Sequence, residues 1–351
     1  MTGRNGYGLS SGLKTRMTDF LALAVFVILA LAMTYPLVFH AADHVPSDLS
    51  DPLYNIWIMD WNIHQFSAGL KNFWNTNIFF PHTGTYFYAD GLLALSLLGA
   101  PVSLLSGNPI LAYNVLFLLS FFLCAAGMYF LVRRLSASRP AAFLSALIFA
   151  FIPYRFAHIS HLELLYFVWM PFCFLFLHRF FENPSWGNLS GIGFFFVLQV
   201  YSCAYYGQYL ALFAGLFILY FALKKGFFRR ADFWAKMGLL FFLCSAALLP
   251  YVYPFIRVHR KMLLFRPLWE VKHFSAELQH FLAVPPWNLT WGWLMGRFGA
   301  QEWQLYPGII PVFLTLFLWM RKWKNTETEA GSVDVKKKKK IFVWWDAANV
   351  L

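Results

Sequence analysis

The stretch FLALAVFVILALAMTYPLVF, Phe20 to Phe39, runs for 20 residues without a charged side chain. That is the length a helix needs to cross about 30 Å of hydrocarbon. It opens directly into a segment of opposite character, His40 to Asp90, which carries five aspartates (Asp43, Asp48, Asp51, Asp60, Asp90) against one base, Lys71. Aromatic residues are threaded between those acids: Tyr54, Trp57, Trp61, Phe66, Trp74, Phe80, Tyr86 and Tyr88 among them. Such a segment is too polar to lie in lipid and too apolar to be a solvated linker. It suits a structured loop resting on the membrane surface.

The rest of the chain repeats the first pattern. It is 60% hydrophobic, 21% aromatic and only 13% charged, which excludes an ordinary soluble domain and predicts an all-α, polytopic membrane protein. The net charge of +12 does not point to nucleic acid, because most bases sit in short loops between apolar runs, as the cytoplasmic excess of Lys and Arg dictates. Cys124, Cys173, Cys203 and Cys244 lie in or beside apolar runs with no CxxC spacing, so neither a disulfide framework nor a zinc site follows.

The apolar runs predict about eight spans: Phe20–Phe39, Leu111–Val132, Ala141–Phe156, Leu164–Phe181, Leu189–Cys203, Gln208–Leu223, Trp234–Phe255 and Pro307–Met320. Gly91–Ser106 is apolar but short and punctuated by Gly99 and Pro101, so it reads as a juxtamembrane or re-entrant helix. Pro52–Ala68 has the spacing of a helix lying in the interface. This threading puts 20 of the 28 bases in the cytoplasm, and counting Gly91–Ser106 as a full span would carry Arg133, Arg134 and Arg139 outside. Both termini are therefore expected in the cytoplasm of a bacterial inner (cytoplasmic) membrane. Residues 1–325 form the membrane domain, with external loops at 40–106 and 256–306, and residues 326–351 form a basic tail, disordered or cut short, around Lys336–Lys340.

Three clusters on the external side could carry chemistry, since ionisable groups beside hydrocarbon are costly and default to function. The first is the aspartate set, above all Asp51, which follows Ser47-Asp48-Leu49-Ser50 and sits immediately before the interfacial helix. Asp51 either caps the helix that follows or acts as a base, whereas Asp60, nine residues on, projects to the opposite side and reads as solvated. The second is Tyr154 to Glu163, holding Arg155, His158, His161 and Glu163. The His158-x-x-His161 spacing would place two imidazoles on one helical face, as a metal site needs, but there is no HExxH pattern, and hydrogen bonding to a polar substrate or phosphate is the stronger reading. The third is the basic group Arg257, Arg260, Lys261, Arg266 and Lys272, which breaks the inside-positive rule. A phosphate at the outer surface would supply a reason, as would pairing with acidic headgroups or with Glu270, Glu277 and Glu302. Carboxylate, imidazole and cation on one side of a membrane are the equipment for moving a group from a lipid-linked phosphate donor to a hydroxyl.

The chain resembles the GT-C superfamily of polytopic, polyprenyl-phosphate-sugar-dependent glycosyltransferases, in a branch of bacterial membrane proteins. The resemblance rests on Ser50-Asp51-Pro52 with Trp57 and Trp61, Asn77 to Gly84, Gly107-Asn108-Pro109 with Asn114, and Pro153-Tyr154-Arg155 with His158 and His161. Trp169-x-Pro171, Tyr205-Tyr206-Gly207 and Glu302 with Tyr306-Pro307-Gly308 complete it, over about residues 15–320. It implies a fold with juxtamembrane helices in the first external loop and an acidic base there, which falls on Asp51, with Asp48 as the reserve. A clean Asp-x-Asp or Glu-x-Asp pair is missing, as is a His-Pro-Pro stretch, so no metal ligand is assigned, although a divalent Mg or Mn ion is compatible with the chemistry. The expectation is an inverting transferase acting on a polyprenyl-phosphate sugar donor at the bilayer, with an envelope glycan, lipid or protein as acceptor. Asp51 would take the acceptor proton, Arg155, His158 and His161 would shape the donor site, and Arg257 and Arg260 would hold phosphate. Tyr206, Glu163 and Glu302 are further candidates. A lipid-linked glycan transporter or flippase, or a non-catalytic protein of the same fold, is the alternative.

Overall fold

The computed structural model of the chain describes residues 6–330 apart from 264, 301 and 302, and the side chains from Arg16 to Arg321 apart from those three. Every regular element among the described residues is helical. In chain order the α-helices are α1 Gly6–Met33, α2 Asp51–Ser67, α3 Leu93–Ser106, α4 Pro109–Ser136, α5 Arg139–Ala150, α6 Pro153–Ala157 and α7 Leu162–Leu165. They continue with α8 Trp169–Glu182, α9 Trp186–Ser202, α10 Ala204–Lys224, α11 Ala231–Met262, α12 Leu268–His273, α13 Gly292–Met295 and α14 Ile309–Ala330. Helix starts carry the expected signals. Asn108 accepts from Leu111 N at 3.0 Å ahead of Pro109, and Ser138 caps α5 ahead of Pro140.

Six segments are long and apolar enough to cross a bilayer: Arg16–Met33, Pro109–Ser136, Arg139–Ala157, Leu162–Glu182, Ala204–Lys224 and Ala231–Met262. The sequence suggested eight. The difference lies in α9, with 17 residues, and in α14, whose apolar part is only Ile309–Arg321. α3, at 14 residues, reaches only about 21 Å, in keeping with a juxtamembrane element. Outward faces of α10 and α11 expose Leu212, Phe213, Leu216, Phe241 and Phe242, a surface that only lipid or another apolar partner can cover. The chain is thus a multi-pass helical membrane protein.

Side-chain contacts sort the helix termini into two ends. At the basic end Asp19 of α1 meets Arg133 of α4 and Arg139 of α5, Arg134 meets Glu182 of α8, and Lys236 of α11 reaches Pro184 O. At the opposite end Asn108, the cap of α4, and Asn114 within it hold the carbonyls of Ala41, Ala42 and His44, Trp169 of α8 bonds Ser202 of α9, and His259 of α11 contacts Phe87 O. This second end is the loop end of the bundle. α9 therefore runs from one end to the other, antiparallel to α8 and α10.

One pair of crossings is broken. Pro153 cannot donate into a continuing helix and forces Ile152 into extended geometry (φ −61°, ψ 140°), so α5 stops at Ala150. Residues 151–168 then form two short turns before α8 begins. Tyr166 Oη bonds Leu116 O at 3.0 Å, and Arg155 bonds Ser120 and Cys124, so these two side chains reach partners about 10–22 Å along α4 from its start, while Ser160 and His161 between them stay at the loop end. Irregular backbone at such depth survives only inside protein, with its polar groups satisfied. Here Leu165 O accepts from Arg155 at 3.0 Å and Tyr166 O from Gln199 at 2.7 Å.

A groove of about 410 Å³ lies between α9 and α11, lined by Trp186, Leu189, Gly193, Leu240 and Cys244. It is almost wholly apolar, and its lining includes none of the polar residues of the loop end.

Candidate functional site

The acidic loop and the broken hairpin meet at the loop end. Asp51, the first residue of α2, places Oδ2 3.4 Å from His161 Nδ1, and the same nitrogen lies 3.6 Å from Glu163 Oε1. Asn55, one turn along α2, donates to Glu163 Oε2 at 3.2 Å. Just upstream, Asp48 accepts from the Ser160 hydroxyl at 3.0 Å, and the Ser160 and Ser47 hydroxyls lie 2.8 Å apart. The exposures grade inward: the Asp51 side chain is 49% exposed, His161 19% and Glu163 12%. A half-open carboxylate is thereby tied through an imidazole to a buried one.

Asp90 joins this group from the turn before α3. Asn62 donates to Gly91 O at 2.7 Å and to Ser96 Oγ at 2.8 Å, while Tyr86 Oη donates to the same carbonyl at 2.6 Å. A Cβ on Gly91 would fall 2.4 Å from that hydroxyl, so the close approach needs glycine. The turn holds Asp90 within electrostatic reach of His161, Glu163 and Tyr54.

The environment separates these groups. Asp48 is held below the usual carboxylate range, first by the Ser50 backbone N–H at 2.8 Å and then by Ser160, so it stays ionised. Burial pushes Asp90 up, only partly offset by the charge of His161. Burial, helped by His161, holds His158 down to about 4, leaving it neutral. Tyr54 is pushed up to about 12 by burial and by the neighbouring Asp90 and Glu163 charges. His158 is 2% exposed, and both of its ring nitrogens are buried without a hydrogen-bond partner among the described residues, as is the Tyr113 hydroxyl. Buried polar atoms cost free energy unless a hydrogen-bond partner such as water meets them.

The structure departs from the sequence reading at several residues. Arg155 is fully buried and turned away from Asp51: its guanidinium is taken up by Cys124, Ser120 and Leu165 O, with its carbon 4.2 Å above the Phe121 ring. It holds the hairpin to α4 instead of facing a donor. His158 and His161 do not share a helical face, because α6 ends at Ala157; their rings lie 5.9 Å apart across a turn. Arg257 and Arg260 lie on the helical extension of α11 instead of a loop, exposed, while Val258 and His259 of that extension pack on Gly84 and Phe87. Asp60 is exposed on the far side of α2. Tyr206 shares a 2.9 Å hydrogen bond with Tyr154. Glu302 and the tail from 331 to 351 lie outside the described residues, whereas residues 326–330 continue α14.

No protein-family model, curated protein or solved structure matches this chain. The site therefore has to be read from its own chemistry. Among the described residues, Asp51, Glu163 and Asp90 do not form a grouping whose ligand atoms all lie within 4.8 Å of one another, so they make no ready seat for a Mg or Mn ion. A grouping of three metal-capable side chains with ligand atoms all within 4.8 Å occurs elsewhere, at His40, Asp43 and His44.

Asn55, Asn62, Ser160 and Asp90 were not singled out in the sequence. One signal was present: Asp51, Asn55 and Asn62 fall within about 40° of each other around α2, a polar stripe on the face that otherwise buries Ile58, Met59 and Ile63. Asp90 had no such signal, since only folding brings its turn against His161.

Proposed function

We propose that this chain is a membrane glycosyltransferase that moves a sugar from a polyprenyl-phosphate-linked donor to an envelope glycan, lipid or protein acceptor outside a bacterial inner membrane. The observation that carries the reading is the Asp51–His161–Glu163 set at the loop end. The clustering of bases at the other end supports a cytoplasmic basic end, with both termini inside and the site outside.

In this reading Asp51 accepts the proton of the acceptor hydroxyl. The acceptor oxygen attacks the anomeric carbon, the bond from that carbon to the phosphate oxygen breaks, and polyprenyl phosphate leaves with the electron pair. His161 orients the Asp51 carboxylate, and Glu163, braced by Asn55, orients His161. His158 and Tyr113 offer hydrogen bonds to the sugar. Arg257 and Arg260, at the rim of α11, meet the phosphate. Arg155 has no part in the chemistry and secures the hairpin.

A second reading, transport of a lipid-linked glycan, draws on the broken hairpin, because discontinuous helices with buried polar groups at membrane depth are common in transporters. Mass spectrometry of lipids that co-purify with the protein tests the substrate class. A polyprenyl-phosphate sugar is expected; a lipid fraction holding bulk phospholipid alone would remove both readings.

A further inference from the structure

Upstream of the acidic loop, the chain makes a single closed turn. His44 N donates to His40 O at 2.9 Å and Asp43 N to the same carbonyl at 3.2 Å. Residues 40, 43 and 44 therefore stand as i, i+3 and i+4 do on a helix, all on one side. Their side chains are exposed, with ligand atoms within 4.8 Å of one another. His44 Nδ1 lies 2.9 Å from Asp43 Oδ1, and the two imidazole rings are 4.7 Å apart.

The turn is pinned from behind. Asn108 Nδ2 donates to Ala42 O at 2.8 Å, and Asn114 Nδ2 to Ala41 O at 2.8 Å and to His44 O at 2.6 Å. Asn114 is fully buried in α4, so three carbonyls of this short turn are fixed to α4 and to its cap Asn108. A surface His–Asp pair alone would need no such anchoring. A metal tripod would, because ligands already in place avoid the entropy of ordering a loop.

We propose that His40, Asp43 and His44 form a zinc site, separate from the Asp51–His161–Glu163 set. Two imidazoles and one carboxylate are the borderline nitrogen and oxygen donors that Zn²⁺ takes, leaving a fourth position for water. Bound there, the ion clamps the chain between α1 and Asp48 and so fixes the approach of the acidic loop to the broken hairpin.

The test uses the full chain without a polyhistidine tag, stripped with a chelator in detergent and titrated with Zn²⁺ by calorimetry, with X-ray absorption on the loaded protein. One equivalent of Zn²⁺ is expected, with two imidazoles in the first shell at about 2.0 Å, and with a rise in thermal midpoint on loading. The His40→Ala/His44→Ala variant loses that equivalent and that rise; an Asp51→Asn/His161→Ala variant keeps both. Absence of binding by the native chain, an all-oxygen first shell, or an unchanged equivalent in His40→Ala/His44→Ala would overturn the site. Loss of the equivalent in Asp51→Asn/His161→Ala instead would move the metal to the other cluster and overturn it equally.

Discussion

Asp51 Oδ2 stands 3.4 Å from His161 Nδ1, joining the first residue of α2 to the turn between α6 and α7. Because the Asp51 side chain is half exposed, this pair is screened by solvent and contributes only about 0–1 kcal/mol to stability. Asp51→Asn is therefore expected to leave expression and the thermal midpoint in detergent almost unchanged. A large fall in midpoint would make Asp51 a structural residue and weaken its reading as a base.

Arg155 is expected to behave in the opposite way. Its fork makes three bonds to buried partners and lies over Phe121. Arg155→Met removes the buried bonds to Leu165 O, Cys124 and Ser120, leaving Ser120 only its bond to Phe117 O, at a cost of about 3 kcal/mol or more. Thermal unfolding should show that loss, while Arg257→Ala, at an exposed position, should stay within about 0.5 kcal/mol of the native protein. Equal effects of the two would contradict the assignment of Arg155 as the brace of the hairpin.

Stability should depend on pH through His158. Burial holds it down to about 4 against the ordinary 6.5, so between those values the unfolded chain binds a proton that the folded chain refuses. Stability then rises with pH across this window and is lost as pH falls through it, by on the order of 3 kcal/mol. Asp90 acts with the opposite sign: raised by burial, it keeps its proton longer when folded, and its contribution declines as pH climbs above 3.8. His158→Phe should flatten the rise between pH 4 and 6.5 in unfolding experiments. A slope identical to the native one would show that His158 is not the group responsible.

The turn carrying Asp90 offers a backbone test. Gly91→Ala drives a methyl group to within 2.4 Å of the Tyr86 hydroxyl, which itself bonds Gly91 O. Displacement of that ring or of the turn is expected to lower stability by about 1–3 kcal/mol and to shift Asp90 away from His161. Gly107→Ala serves as a comparison for positive φ without a steric neighbour, because no atom lies within 4 Å of its added Cβ.

Much of the fold could be read from hydropathy, because length and apolarity are local properties. The spans at Leu111–Val132, Gln208–Leu223 and Trp234–Phe255 all fall within α4, α10 and α11. What hydropathy could not show was how the turn between the spans Ala141–Phe156 and Leu164–Phe181 packs: after Ile152–Pro153 it folds against α4, with Arg155 and Tyr166 bonded to that helix. The contact of the acidic loop with the histidine turn was expected from chemistry alone, and Asp51, His161 and Glu163 do come together. Arg155 misled for a physical reason: a guanidinium in an apolar chain signals cost, and that cost can be met by backbone carbonyls and aromatic faces as well as by a ligand.

The most direct measurement is transfer itself. Purified protein, Asp51→Asn and Asp60→Asn are incubated with polyprenyl-phosphate sugars and an envelope acceptor, and release of polyprenyl phosphate is followed. The native chain and Asp60→Asn should release it at similar rates, and Asp51→Asn should release none above background. Release by Asp51→Asn at the native rate would contradict the assignment of this carboxylate as the base.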